Sequence, residues 1–356
     1  MNRSPLLEIQ KAIGAAVTVA HGWQVAAGYG APEAEYAAAR QSCALFDLTF
    51  HCRLRVTGPD REGFLHGRLT NDIKGLAVGR GIYAAALDRH GRMLADMVVW
   101  SLDDYHLLEL PPDTGRKILE SFEESIIGED VVIEDMSATW GLLSLQGPEG
   151  PGILGRLGIG APDANEIVSA SLAGHPVLVA GRRRADLPGF DLHVANAAMV
   201  DCWNSLLERG ARPAGLDTLD VLRIEAGIPW YGRDLDESVI PLEAGLHDAI
   251  SYTKGCYVGQ EIISRIHHLG QPARLLRGVV FEDDRLPPPG SDVRTDGRRV
   301  GKITSIVRSP AIGRPIALAY LRRGHTEPGT AVRVDTEGGP ARGKTALLPF
   351  TAAATP

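Results

Sequence analysis

An α+β fold that closes in a small all-β domain is what this 356-residue chain predicts. Three observations carry that expectation. Strand-like and helix-like segments alternate in two irregular rounds over the first two thirds of the chain, without the even rhythm of a βαβ parallel sheet. From Arg274 the texture changes to short β-rich segments broken by Gly/Pro turns. Between the two lies Lys254-Gly255-Cys256-Tyr257-Val258-Gly259-Gln260-Glu261, a cysteine set among glycines just ahead of a helical pattern.

Residues 5–20 predict an amphipathic helix with Leu6, Leu7, Ile9, Ile13 and Val17 on one face. An Ala-rich helix is expected over Glu33 to Cys43, then strands at Leu45–Leu48 and Cys52–Val56. Gly58-Pro59-Asp60 punctuates before a helix through Leu65 to Leu69. Ile82–Leu87 and Met93–Trp100 flank Asp88-Arg89-His90-Gly91 and read as a hairpin. A strand at Tyr105–Leu110 precedes Pro111-Pro112 and a helix over about 114–126. The second round has strands at Leu142–Leu145, Val177–Val179 and Phe190–Val194, a helix opening at Gly147–Gly150, and another over Ala197–Arg209. The last part has strands at Gly278–Phe281, Val300–Val307, Ile316–Tyr320 and Ala331–Val334. We expect one region over 1–270, with a second subdomain starting near 140, and a barrel over 271–356.

A formal charge of −7 offers no general attraction to nucleic acid or an anionic membrane. Arg182-Arg183-Arg184 is a local basic patch or, more simply, a solvated loop or edge strand. Four scattered cysteines with no Cys-x-x-Cys pair write no zinc ribbon or cluster site and suit a reducing cytoplasm. Glu8, Gln10 and Lys11 ahead of Ala12–Ala20 do not suit a signal peptide, and no run reaches membrane-span length. His267 and His268 would face different ways on a helix, so they read as polar surface and no metal site is expected.

Ile262, Ile263 and Ile266 recur at helical spacing after Cys256, and Glu261 falls in the helix's first turn, where negative charge suits the dipole. A thiol near such a terminus is either activated by exposed backbone N–H groups or simply inert and buried.

Several strings together resemble the aminomethyltransferase (T-protein) of the glycine cleavage system. They are Phe46-Asp47-Leu48, Arg55–Asp60, Leu69–Ile73, Leu222–Pro229 running on to Tyr231-Gly232, Ile240–Leu246, Val300–Ser305 and Ile316–Tyr320. The likeness runs from about Pro5 to Phe350 and implies the GcvT-like folate-binding fold with its C-terminal barrel. Within that superfamily, Lys254–Glu261 resembles the hallmark of the YgfZ-type branch, since the enzymes usually carry an acidic residue where Cys256 stands.

That resemblance implies a tetrahydrofolate-binding protein supporting assembly or repair of iron–sulfur clusters, with iron–sulfur or cluster-assembly proteins as partners and tRNA modification affected indirectly. Cys256 would be its functional thiol. The alternative is a folate-dependent aminomethyltransferase, or a demethylase, acting on a methylated amine or a lipoyl-bound aminomethyl group. An RNA-binding module is a third class, opposed by the acidic charge and by the lack of interleaved basic and aromatic stretches.

The resemblance also places residues. Where T-proteins carry paired aspartates after the hairpin turn, this chain has Ala95 and Asp96. Asp96 would orient the pterin or handle a proton; otherwise it is a turn carboxylate. The acid that pairs with the pterin edge falls near Leu187, with Asp186 beside it as substitute or plain loop residue. Arg223 would approach the folate carboxylates, or else form a buried ion pair with Glu225 or Glu243. Tyr83 and Tyr231 are candidate pterin walls or ordinary core, and Glu243 and Lys254 fall to the folate site through their motifs.

Overall fold

A computed structural model describes residues 1–350; the end of the expected barrel range, 351–356, lies outside the described residues. Two sheets stack face to face. The five-stranded sheet runs Gly81–Leu87, Met93–Ser101, His106–Leu110, Cys52–Thr57, Val132–Asp135. The six-stranded sheet runs Ile167–Leu172, His175–Gly181, Gly189–Ala195, Trp140–Gln146, Ala44–Asp47, Arg212–Pro213. A three-stranded sheet of Asn2–Arg3, Trp23–Gly28 and Ala16–Ala20 is hydrogen-bonded to neither, and its Val25 packs with Ala44, Phe46 and Leu142 of the six-stranded sheet.

The alternation of side chains explains the layering. On the five-stranded sheet, Ala95, Met97 and Val99 face one way, against Phe64 and Leu65 of helix Arg61–Arg68 and Ile118 and Phe122 of helix Gly115–Glu123. Val98 and Trp100 face the other way, and with Leu107 they meet Ile167, Leu178 and Ala180 of the six-stranded sheet. The outer side of that second sheet, with Leu143, Leu145 and Leu192, packs on Met199, Trp203 and Leu206 of helix Met199–Glu208. Fully burying one such aliphatic side chain contributes roughly 1.5–3 kcal/mol.

Six strands close the C-terminal barrel in the order Arg274–Phe281, Arg314–Arg322, Arg298–Ser309, Asp292–Thr295, Ala331–Thr336, Gly339–Ala346. Val279, Phe281, Ile303 and Leu321 fill its interior. Its outer face presents Leu276, Val280, Leu318 and Tyr320 to Ile224, Tyr231, Val239 and Leu242, so one apolar cluster joins barrel and N-terminal region.

The expected helix over 5–20 is corrected. It is confined to Leu7–Ala12, and Ala16–Ala20 is a strand paired antiparallel with Trp23–Gly28. Gly14, at φ +94°, ends the helix with a turn no other residue makes cheaply, and Val17-Thr18-Val19 is stiff, β-branched chain that favours a strand. The strands Val132–Asp135 and Ile167–Leu172 had no counterpart in the sequence reading. Among the described residues no helix is long and apolar enough to cross a membrane.

Candidate active site

Register builds the site. Tyr83 stands opposite Val98, and Val98 stands opposite Glu109, while Asp96 lies two residues before Val98. Opposed residues and alternate residues share a face, so Tyr83, Asp96 and Glu109 all point toward the six-stranded sheet. The Asp88–Gly91 turn that sets this register is tied by Asp88 Oδ1, which accepts the backbone N–H groups of His90 (2.8 Å) and Arg92 (2.9 Å). A cavity of about 340 Å3 opens there, its wall completed by His51, Arg182–Arg184, Arg223, the Gly227–Tyr231 segment and Ala244–Leu246.

Asp96 lines it with a half-engaged carboxylate. The Tyr83 hydroxyl donates to Asp96 Oδ2 at 2.8 Å, and Oδ1 is buried without a partner. Burial raises the Asp96 carboxyl above its ordinary range, against the opposing pull of Tyr83 and Arg182. The Arg182 guanidinium lies 5.7 Å from the centre of the Tyr83 ring, so that ring is held between cation and carboxylate. The neighbouring Ala95 points the opposite way into the core against the helices. A carboxylate at position 95 would be buried among apolar side chains, so its absence leaves the cavity face intact.

A buried ionic group forms the floor. Arg184 Nε donates to Asp191 Oδ2 at 3.0 Å, and Nη2 donates to Asp191 Oδ2 at 2.7 Å and to Glu109 Oε1. His193 Nε2 lies 3.5 Å from Glu109 Oε2. Burial works against the charged form of Glu109, and Arg184 with His193 overcomes it, holding the carboxyl below its ordinary range. Asp191 is pushed the other way, by burial and by the Glu109 charge against the pull of Arg184. Burial lowers His193 to about 4 and keeps it neutral at physiological pH. The expectation of a solvated loop or edge strand at Arg182–Arg184 is therefore corrected at Arg184, which bridges the two sheets by pairing with an acid on each, while Arg183 is exposed.

The other residues suggested by sequence divide sharply. Tyr231 lines the cavity, its hydroxyl donating to Met93 O (3.2 Å) and accepting from Lys117 Nζ (3.1 Å). Arg223 reaches the cavity wall, yet its guanidinium is engaged elsewhere. Nε donates to Asp220 (2.6 Å), Nη1 to Asp234 (2.7 Å) and Ile228 O (3.2 Å), and Nη2 to Ser305 Oγ of the barrel (2.9 Å). The buried-ion-pair alternative thus holds in kind, but with Asp220 and Asp234 as partners, because helix Leu216–Glu225 turns Glu225 toward Arg40, Tyr36 and Ser309.

Glu243 is corrected to a domain clamp that accepts from Arg274 Nε at 3.1 Å, and it lies outside the cavity. Lys254 is also outside. Its ammonium donates to the carbonyls of His66, in the last turn of helix Arg61–Arg68, and of Leu69 (2.7 Å) and Asn71 (2.8 Å) just past it, and burial pulls its pKa down to about 8. Asp186 is exposed and outside the cavity, since the loop buries Ala185 and points its neighbour to solvent.

Cys256 stands apart from that site: its thiol is exposed and lines no part of the Asp96 cavity. Its neighbours act as scaffold. Tyr257 is buried, and Gly259 at φ +83° caps helix Gln260–Leu269 so tightly that a Cβ there would lie 2.6 Å from Asp88 O. Glu109, Arg184, His51 and Trp230 are the site residues that sequence reasoning missed. A lone acid in the otherwise apolar run His106–Leu110 was the one available signal.

The chain matches the GCVT N-terminal domain over residues 6–254 and the glycine cleavage T-protein C-terminal barrel domain over 274–351, and it belongs to the glycine cleavage T-protein family. It is 34% identical to an aminomethyltransferase of Streptomyces avermitilis over 96% of this chain and 95% of that one. It is 32% identical to an aminomethyltransferase of Streptomyces coelicolor over 98% and 97%. The crystal structure of the glycine cleavage system aminomethyltransferase T from Bartonella henselae superposes with a TM-score of 0.91 over 99% of both chains, at 22% identity, and shows the same fold.

The iron–sulfur role implied by the Lys254–Glu261 string is overturned by these near full-length relatives, each named aminomethyltransferase. The cluster-assembly partners and the effect on tRNA modification fall with it. Aminomethyltransferases of this family use tetrahydrofolate as their one-carbon acceptor.

Proposed function

We propose that this chain is a tetrahydrofolate-dependent aminomethyltransferase whose centre is Asp96. The observation that carries the reading is the divided carboxylate: Oδ2 is fixed by Tyr83 while Oδ1 is buried, unpaired and in the cavity. The residues suit a pterin. Asp96 Oδ1 and Glu109 Oε2 offer acceptors, and Arg182 Nε, Trp230 Nε1 and His51 Nε2 are further buried polar atoms with no hydrogen-bond partner among the described residues. A flat heterocycle with both donors and acceptors matches such a mixed set. Bound tetrahydrofolate supplies nitrogen nucleophiles that take up a one-carbon unit.

The chain's own part is orientation and proton handling. Tyr83 holds the Asp96 carboxylate in one rotamer, and burial raises its affinity for a proton at Oδ1. Arg182, Tyr83, Tyr231 and Trp230 line the chamber. The likeness of Lys254–Glu261 to the YgfZ-type branch stays part of this reading, with Gly259 of the string packed against Asp88 in the turn of the Asp96 hairpin.

The test is turnover with tetrahydrofolate and two donors assayed separately, a lipoyl-bound aminomethyl group and a small methylated amine. Folate-dependent ammonia release from the first identifies the aminomethyl reaction, and demethylation of the second identifies the demethylase. Asp96→Asn keeps an acceptor for Tyr83 and should fold normally, with kcat reduced about 10²–10⁴-fold. Undiminished turnover in that variant refutes the assignment of Asp96, and absence of folate binding in the wild type refutes the proposal as a whole.

A further inference from the structure

The sheet face that carries Asp96 also carries a second cavity, of about 250 Å3, lined by Arg53, Arg55, Tyr105, Met136, Trp140 and Leu178. It shares no lining residue with the Asp96 cavity. Arg53 stands opposite Glu109 in the register, and Arg55 follows on the same face, so Arg53 is buried between the sheets and Arg55, with its side chain 40% exposed, lies nearer the rim.

Arg53 is 0% exposed. Its Nη2 donates to Thr49 O at 3.0 Å and Ser137 O at 3.4 Å, whereas Nε and Nη1 have no acceptor. Among the described residues no carboxylate lies within salt-bridge distance of it. Arg55 Nε is buried and unpaired as well, its guanidinium lies 4.7 Å from the centre of the Tyr105 ring, and Glu134 is 3.8 Å from Nη1. A buried guanidinium left with idle donors is costly unless something accepts from it.

We propose that this second cavity binds a small monocarboxylate with an aromatic or branched apolar body, its carboxylate held by Arg53 and Arg55. The walls set the class. Met136, Trp140, Leu178 and Tyr105 offer apolar and aromatic surface, which suits a planar body. A tetrahedral phosphate would leave oxygens facing those walls without donors, whereas a carboxylate needs only the arginines. The volume is below that of a drug-sized pocket, so the ligand is of benzoate size.

Benzoate is the probe, titrated calorimetrically into the full chain at neutral pH. Binding is expected with a dissociation constant on the order of a millimolar. Uncharged benzamide should bind at least about tenfold more weakly, because it forfeits charge-assisted hydrogen bonds. Arg53→Met, and independently Leu178→Trp, which fills the cavity, should each weaken benzoate at least about tenfold. Saturating tetrahydrofolate should leave benzoate binding unchanged. No heat at about 50 mM benzoate, at which a site of the expected affinity would be nearly saturated, means the arginines are simply hydrated and overturns the proposal. Equal binding of benzamide, or displacement of benzoate by tetrahydrofolate, overturns it too. Those three results come from the wild type, so they decide the matter even if a variant fails to fold.

Discussion

Arg184→Met is the perturbation whose outcome the structure fixes most fully. Arg184 is the shared cation of two fully buried carboxylates, Glu109 on one sheet and Asp191 on the other. Methionine fills much of the same space but leaves both acids unpaired. Breaking a buried ion pair from one side costs about 3–5 kcal/mol, a large fraction of the ~5–15 kcal/mol that holds a typical protein folded. The signature is in the pH dependence. In the wild type the two acids oppose each other. Glu109, held low, adds stability that is present above its unfolded pKa and lost as pH falls. Asp191, held high, binds its proton more tightly folded than unfolded, so its contribution is lost as pH rises. Without Arg184 both carboxyls are raised by burial. The folded state then binds more protons than the unfolded state above the ordinary carboxylate range, and stability falls as pH rises. Urea unfolding at pH 5 and pH 8 measures this directly. The variant should be the less stable at both and markedly worse at pH 8, and adding Glu109→Gln should recover much of the pH 8 loss. A loss under about 1 kcal/mol with no pH dependence, the size of a surface pair, would refute the reasoning.

Two further outcomes can be measured on the same protein. Tyr83→Phe removes the hydrogen bond that favours ionised Asp96, so the acid limb of the pH–rate profile should move to higher pH; an unmoved limb means Tyr83 does not touch the reacting carboxyl. Cys256→Ser should leave tetrahydrofolate affinity and turnover within about twofold, as expected for an exposed side chain remote from such interactions, because the thiol is exposed and outside the Asp96 cavity; a larger loss in the donor assay would restore a chemical role to it.

The parts of the fold that sequence disclosed are those written in short-range pattern. The hairpin that carries Asp96 announces itself by Asp88–Gly91 between two apolar runs, and the barrel by its short alternating segments. The N-terminal strand was hidden because Val17 continues the apolar period of the helix before it, and nothing in periodicity alone reports that Gly14 adopts a positive φ. The site was half legible for the same reason. Asp96, Tyr83 and Tyr231 belong to strings with a recognisable neighbourhood. The Glu109–Arg184 pair joins residues 75 apart in the chain, and each looks ordinary alone. The setting of Cys256 is held at Lys254, Tyr257 and Gly259, through the Lys254 carbonyl cage, the burial of Tyr257 and the tight turn at Gly259. Constraint of that kind is imposed by packing as readily as by chemistry.

Arg223 has a consequence for how the chain can be divided. Its bonds to Asp220, Asp234 and Ser305 are mirrored by Thr304, which donates to Asp234, and by Ser309, which donates to Glu225. Cutting the chain ahead of the barrel would strip these partners from side chains that are already buried, and would expose Ile224, Val239 and Leu242 at once. The C-terminal domain is therefore no detachable module. Barrel and substrate chamber should melt in a single transition, and any evolutionary exchange of barrels between relatives would have to carry matching partners for that one arginine.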